Sequence, residues 1–188
     1  SGKYDDIKRK IDTAMTAGAE RNVGHDYVDS VEERYNQATR LITPTGWEVV
    51  DNLMDGGLGK GELGVVVAPA GIGKSFLLVN LGVQGIKKGL NVLHYTLELN
   101  EAYVGLRYDS VLTGIANQEL KYNIDAVKES VKDIKGNLVI KYYPTKTAAI
   151  STIFSHVERY KILGKEPDMV IVDYADLLRG SGGNKEYR

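Results

Sequence analysis

Residues 68–75 read Ala-Pro-Ala-Gly-Ile-Gly-Lys-Ser, and no other stretch constrains the chain as strongly. Small residues allow a tight backbone wrap whose successive N–H groups point into one concavity, an arrangement that binds anions. A lysine and a hydroxyl residue follow at the spacing of the phosphate-binding pattern G-x-x-x-x-G-K-[ST], with Ala68 in place of its first glycine. In such a loop Ala68, Pro69, Ala70, Gly71, Ile72 and Gly73 form the cradle. Lys74 reaches the terminal phosphates, and the Ser75 hydroxyl ligates Mg²⁺. The helix that follows adds the positive end of its dipole. The competing reading is a glycine-rich turn that happens to precede a lysine. The β-type run before it and the helical pattern after it argue against that reading. The loop therefore predicts a strand–loop–helix unit that holds a nucleotide.

The rest of the pattern agrees. Glu62 to Ala68 is a β-type run, and a helix is predicted from Lys74 to about Lys88. Asn91–Leu97 reads as strand and Glu101–Leu112 as helix, with Asn100 placed as its N-cap. Ile124, Val127, Val131 and Ile134 recur at helical spacing. Leu138–Tyr143 is predicted strand, Ala148–Leu163 helix and Met169–Val172 strand. Strands alternating with helices predict an α/β fold, a mainly parallel sheet with helices on both faces. The runs Val65-Val66-Val67 and Met169-Val170-Ile171-Val172 are uniformly apolar, as central parallel strands are. Residues 1–42 differ: polar and charge-mixed, with Gly18 and Gly24 dividing two helical pieces. They are expected to be a short helical extension or linker, and residues 43–188 the nucleotide-binding domain.

Charge and composition exclude several classes. The 188 residues carry 25 acidic and 24 basic side chains, a balance that excludes a strongly basic DNA-coating protein but allows a local basic loop. Without cysteine there is no disulfide framework, thiolate zinc site, iron–sulfur cluster or cysteine nucleophile. Apolar stretches such as Leu63–Ala70 fall far short of the ~20 residues that span a bilayer, so no membrane partner and a cytoplasmic location are expected. The start at Ser1-Gly2 and the stop at Tyr187-Arg188 after a glycine-rich stretch lead us to expect a piece of a longer chain.

Two acidic residues complete the candidate site. Asp173 ends the run Met169–Val172, and a carboxylate at the C-terminal edge of a buried strand faces the ligand crevice of an open α/β sheet. Beside the loop it would hold Mg²⁺ through a water; the alternative is an Asp that starts a turn. Glu98 ends the second strand, one helix and one strand after Lys74, so both reach the same sheet edge. Spacing alone leaves Glu98 open between a base for the attacking water and a carboxylate that satisfies the next helix dipole.

From Thr45 to Leu178 the chain resembles the ATPase domain of DnaB-type replicative helicases, in the RecA-like branch of phosphate-loop enzymes. The similar segments begin with Thr45-Gly46-Trp47, Asp51, Gly56-Gly57-Leu58 and Lys60-Gly61-Glu62-Leu63. The phosphate loop with Ala68-Pro69 follows, then Leu97-Glu98-Leu99, Arg107, and Ile171-Val172-Asp173-Tyr174 with Leu177-Leu178. The segment Val139–Pro144 looks like the version in T-even-type phage helicases, which would place the protein in a host cytoplasm. Tyr174 after the acidic residue favours the helicase branch over recombinases, which usually carry serine there. Ala175-Asp176 departs from the family's Leu-Gln.

The resemblance implies ATP and Mg²⁺ as the bound pair, Lys74 and Ser75 on phosphate and metal, and Asp173 on Mg²⁺ through water. It makes Glu98 the general base. It places Arg107 near the nucleotide, against the alternative of an ion pair with Asp109 or Glu101. It also implies that the segment after Asp173, with Arg179, Lys185 and Arg188, touches single-stranded DNA. Further implications are a hexameric ring, and primase and other replisome proteins as partners. Since the family's arginine finger and sensor glutamine lie beyond this stretch, the expectation for these residues alone is nucleotide binding with little hydrolysis. Two other readings stay open: a RecA- or RadA-like recombinase, and a nucleotide-switched adaptor that would not need Glu98.

Overall fold

The computed structural model describes residues 4, 6–7, 26–29, 31–36 and 41–179. The chain divides into two units, Ser1–Thr39 and Arg40–Arg188. In the first, Asp26 Oδ1 accepts from the backbone N–H groups of Val28 and Asp29, both at 2.9 Å, in a turn that precedes α1 (Val31–Asn36). Tyr4, Asp6 and Ile7 are helical, and the breaks expected at Gly18 and Gly24 lie outside the described residues.

The second unit opens with a small antiparallel pair, β1 (Ile42–Thr43) and β2 (Leu58–Gly59). Between them, α2 (Glu48–Leu53) is anchored by Asp51, whose carboxylate accepts from Thr45 N at 2.6 Å, Thr45 Oγ1 at 2.8 Å and Gly46 N at 3.2 Å. The main sheet contains β3 (Asn91–Thr96), β4 (Asn137–Tyr142) and β5 (Met169–Asp173), all parallel, in the order β4-β3-β5. Four helices connect and flank it: α3 (Lys74–Lys87), α4 (Glu101–Thr113), α5 (Ile124–Lys132) and α6 (Ile150–Ile162). Asn100 caps α4 as its sequence position predicts, its Oδ1 accepting from Tyr103 N at 3.0 Å.

Alternation along β3 produces two cores, one on each face of the sheet. Val92 joins Val79, Val83 and Ile86 of α3, Val104 and Tyr108 of α4, and Ile171 of β5. On the other face Leu93 and Tyr95 pack with Ile153 and Tyr160 of α6. Every residue from Val92 to Thr96 is buried, which makes β3 the centre of the sheet. Complete burial of a valine or leucine at such positions contributes about 1.5–3 kcal/mol each.

Helices and strands fall within two residues of their predicted ends, with one exception. The run Glu62–Ala68 belongs to no strand. Leu63, Val65 and Val67 are 86%, 71% and 89% exposed. Apolar sequence marks a segment that gains by being covered, whereas a strand also needs a neighbour in hydrogen-bonding register. Among the described residues none pairs with this run, and β5 pairs on its β3 side only.

Candidate nucleotide site

The parallel register sets the C-terminal ends of the strands in one row, with Thr96 opposite Tyr142 on one side and Asp173 on the other. The phosphate-loop residues arrive at this edge from α3. Gly73, at φ 101°, caps the helix, and Gly71 sits at φ 81°. A Cβ at either glycine would meet nothing within 4 Å, so backbone conformation rather than space calls for glycine there. Lys74 Nζ donates to the carbonyls of Ala68 at 2.7 Å and Pro69 at 3.0 Å. The same ammonium lies 6.0 Å from the ring centroid of Tyr174, the residue after Asp173. Loop and strand end are therefore neighbours. Ser75 is half-buried in the first turn of α3.

Glu98 occupies the bend beyond β3, and that bend is fastened on three sides. Leu97 N donates to Asp173 O at 2.8 Å. Thr96 Oγ1 donates to Leu99 O at 2.7 Å and accepts from Leu99 N at 3.2 Å. Thr145 Oγ1 donates to Leu97 O at 3.0 Å. Glu98 itself is exposed at the outside of the bend. Asp173 is 4% exposed, and its Oδ1 has no hydrogen-bond partner among the described residues. Lys74, Ser75, Glu98 and Asp173 thus arrive on one edge of the sheet from three different elements.

Among the described residues no group of three or more His, Asp or Glu side chains could hold a metal ion alone. The donor set present, one half-buried hydroxyl and one buried carboxylate, fits Mg²⁺, a hard cation that takes oxygen ligands and completes its shell with phosphate and water.

Among the described residues Arg107 makes neither of the ion pairs weighed for it. Its guanidinium carbon lies 5.1 Å from the ring centroid of Phe76, in the first turn of α3, a cation–π contact that brings Arg107 toward the loop. Glu101 is engaged elsewhere: its carboxylate accepts from Tyr142 N at 3.0 Å and lies 3.9 Å from Lys141. Burial of Asp109 pushes its carboxyl above the ordinary range. Arg179 is exposed, and its N–H donates to Ala148 O at 2.7 Å. Lys185 and Arg188 lie outside the described residues.

Two buried polar groups at this edge had no sequence signal. Thr96 is described above. His94 is 1% exposed, and its Nδ1 lies 2.9 Å from the Tyr108 hydroxyl of α4. Burial pushes the His94 pKa down to about 4; the Asp173 charge acts against that shift and Arg107 reinforces it. Both become neighbours of Asp173 only through strand pairing, which local sequence does not encode.

The profile of the DnaB-like helicase C terminal domain matches residues 43–188. The chain belongs to that family. A DnaB-like replicative helicase of Enterobacteria phage T4 is 27% identical over 191 residues, covering 95% of this chain and 39% of the phage protein. The replicative DNA helicase DnaB of Helicobacter pylori is 26% identical over 190 residues, covering 97% of this chain and 36% of its own length. The DNA repair protein RadA of Aquifex aeolicus is 30% identical over 115 residues, 59% of this chain and 24% of its own length. This DnaB-like chain therefore spans well under half the length of the curated relatives it matches.

Solved structures give the same fold. A DnaB-like replicative helicase described with its interactions with primase aligns at a TM-score of 0.67 and 16% identity, over 96% of this chain and 45% of that one. A second solved structure, of an ATPase domain, aligns at 0.66 and 16%, over 82% of this chain and 57% of that one. The α/β, RecA-like expectation holds for this DnaB-like domain. No described helix is long and apolar enough to cross a membrane.

Proposed function

We propose that this DnaB-like domain is the ATP-hydrolysing motor of a hexameric replicative helicase that moves along single-stranded DNA and separates duplex. One observation carries the reading: Lys74, Glu98 and Asp173 converge on one edge of a parallel sheet in a chain of this family. In it, residues 68–73 wrap the phosphates with backbone N–H groups, and Lys74 exchanges its two loop carbonyls for terminal phosphate oxygens. Glu98 takes a proton from water, whose oxygen bonds the γ-phosphorus as the bond to the bridging oxygen breaks and ADP departs. Mg²⁺, held by Ser75 and, through water, by Asp173, would neutralise charge on the β- and γ-phosphate oxygens. Arg107, stacked on Phe76, supplies a cation beside the loop. Residues 1–42 serve as a linker to the 43–188 motor domain. Arg179, Lys185 and Arg188 follow the DNA backbone, since a flexible basic segment tracks phosphates. A ring that works at forks also meets primase.

The test uses the natural full-length protein: ATP hydrolysis with and without single-stranded DNA, and strand separation on a forked duplex. Hydrolysis stimulated by DNA, together with unwinding by rings, is the expected result. The RadA similarity gives the main competitor a specific form. Filaments that coat DNA and pair strands would replace the helicase reading with a recombinase. Indifference to DNA would replace it with a nucleotide-switched adaptor.

A further inference from the structure

His94 and Tyr108 take no part in the chemistry above, yet they meet beside Asp173. On parallel β3 and β5, His94 is opposite Ile171 and Thr96 opposite Asp173, so His94, Thr96, Ile171 and Asp173 share one face of the sheet. That face is covered by α3 and α4. On it two buried polar atoms, His94 Nε2 and Asp173 Oδ1, have no hydrogen-bond partner among the described residues. Buried polar atoms left unpaired are costly and rare, and these two are of complementary kind.

An ionised carboxylate only accepts, so what Asp173 lacks is a donor. A neutral imidazole has a single N–H, and the bond at the other nitrogen decides where it sits. When the Tyr108 hydroxyl donates to Nδ1, the proton belongs on Nε2, and the nitrogen left without a partner is a donor. The opposite tautomer would make both unpaired buried atoms acceptors. The seat of the Tyr108 hydroxyl is itself built. A Cβ at Gly82, in the middle of α3, would collide with that hydroxyl. Glycine there lets the helix that starts at the phosphate loop lie against the Tyr108–His94 pair.

We propose that His94 is a positioning residue for the hydrolysis site: fixed as the Nε2–H tautomer by Tyr108, it donates to Asp173 Oδ1, directly or through one water, and orients the carboxylate toward the nucleotide edge. The idea rests on the nucleotide-site reading. It makes α4, β3 and β5 one hydrogen-bonded unit, against which α3 packs at Gly82 and in which Arg107 and Tyr108 are consecutive on α4. Groups that orient a metal-binding carboxylate typically affect metal affinity or activity ~10- to 100-fold when removed.

The experiment measures ATP hydrolysis against Mg²⁺ concentration in the natural full-length protein and in His94→Phe, His94→Gln, Tyr108→Phe and Lys74→Ala. Ring ¹⁵N chemical shifts of His94 in the wild type report the tautomer. For His94→Phe we expect kcat to fall ~10-fold and half-saturating Mg²⁺ to rise several-fold, with KM for ATP at saturating Mg²⁺ unchanged. His94→Gln, which keeps an N–H near the Nε2 position, should recover most of both. Tyr108→Phe should lose less than His94→Phe, and the shifts should report Nε2–H.

Wild-type Mg²⁺ dependence in His94→Phe, or an Nδ1–H ring, overturns the proposal. If His94→Phe does not fold, Tyr108→Phe and the tautomer decide it: a wild-type Mg²⁺ response with Nδ1–H refutes it. Lys74→Ala separates the two levels. Full hydrolysis in that variant sinks the nucleotide-site reading itself and this proposal with it. Loss there, with normal His94→Phe, removes only the role of His94.

Discussion

Thr96 illustrates how much a single hydroxyl can arrange. It is the last residue of β3, and its Oγ1 both donates to Leu99 O and accepts from Leu99 N, closing the bend that displays Glu98. Valine has nearly the same shape without either bond. Thr96→Val should therefore destabilise the domain by about 1–2 kcal/mol in urea unfolding, from two lost hydrogen bonds of a buried hydroxyl. It should also lower kcat while sparing nucleotide affinity, because the phosphate loop is untouched. An unchanged unfolding midpoint with unchanged kcat would show that the clip does not hold the bend. Residues of this kind were invisible in the sequence. Lys74 and Ser75 were legible because their meaning lies in a contiguous motif, and Asp173 because it ends an apolar run. Thr96 and His94 acquire their roles from partners that strand register brings in. The surroundings of Arg107 were hidden for a related reason. Charge partners near in sequence suggested an ion pair, but Glu101 turned to β4 and left the guanidinium to Phe76.

At the scale of elements, β3 and α6 are joined by a second histidine. His156 Nδ1 lies 2.8 Å from the Tyr95 hydroxyl, their rings meet edge-on, and Tyr143 stacks on Tyr95 from the end of β4. Burial first, then the cations Lys141 and Arg159, hold the His156 pKa below its ordinary 6.5. The native ring stays neutral at a pH where the unfolded chain already binds a proton. The stabilising contribution is therefore complete above pH 6.5 and drains away as pH falls from there through the lowered native value. His156→Asn should give a shallower loss of stability than the wild type in urea melts between about pH 7.5 and 5.5, the window in which an unfolded histidine takes up its proton. Equal slopes would mean that His156 does not titrate differently in the two states.

The elements themselves were the most readable part of the chain. The alternation of β-type and helical runs placed α3, α4, α6, β3, β4 and β5, each of which buries residues in a shared core, and helical spacing placed α5. The run Glu62–Ala68 failed the same reasoning, since its apolar residues report a preference for cover and carry no information on which strand would pair with it. The N-terminal helical pieces remain an expectation from residue spacing, of which the described residues contain α1 and helical Tyr4, Asp6 and Ile7.

At the scale of the molecule, the account joins family membership to one hydrolytic centre on a sheet edge. On the proposed reading the domain supplies the phosphate loop, with Glu98 as the base and Asp173 as the metal carboxylate. The proposed stimulation by DNA and ring assembly are tested on the natural full-length protein, since the curated relatives are more than twice the length of this chain. The most direct measurement is ATP binding and ATP turnover by the full-length protein and its Glu98→Gln variant, side by side. With Glu98 as the general base, Glu98→Gln should bind Mg·ATP as tightly as the wild type while turnover falls by ~10² to 10⁴, the range for a lost general base. Turnover at the wild-type rate in Glu98→Gln would contradict that role.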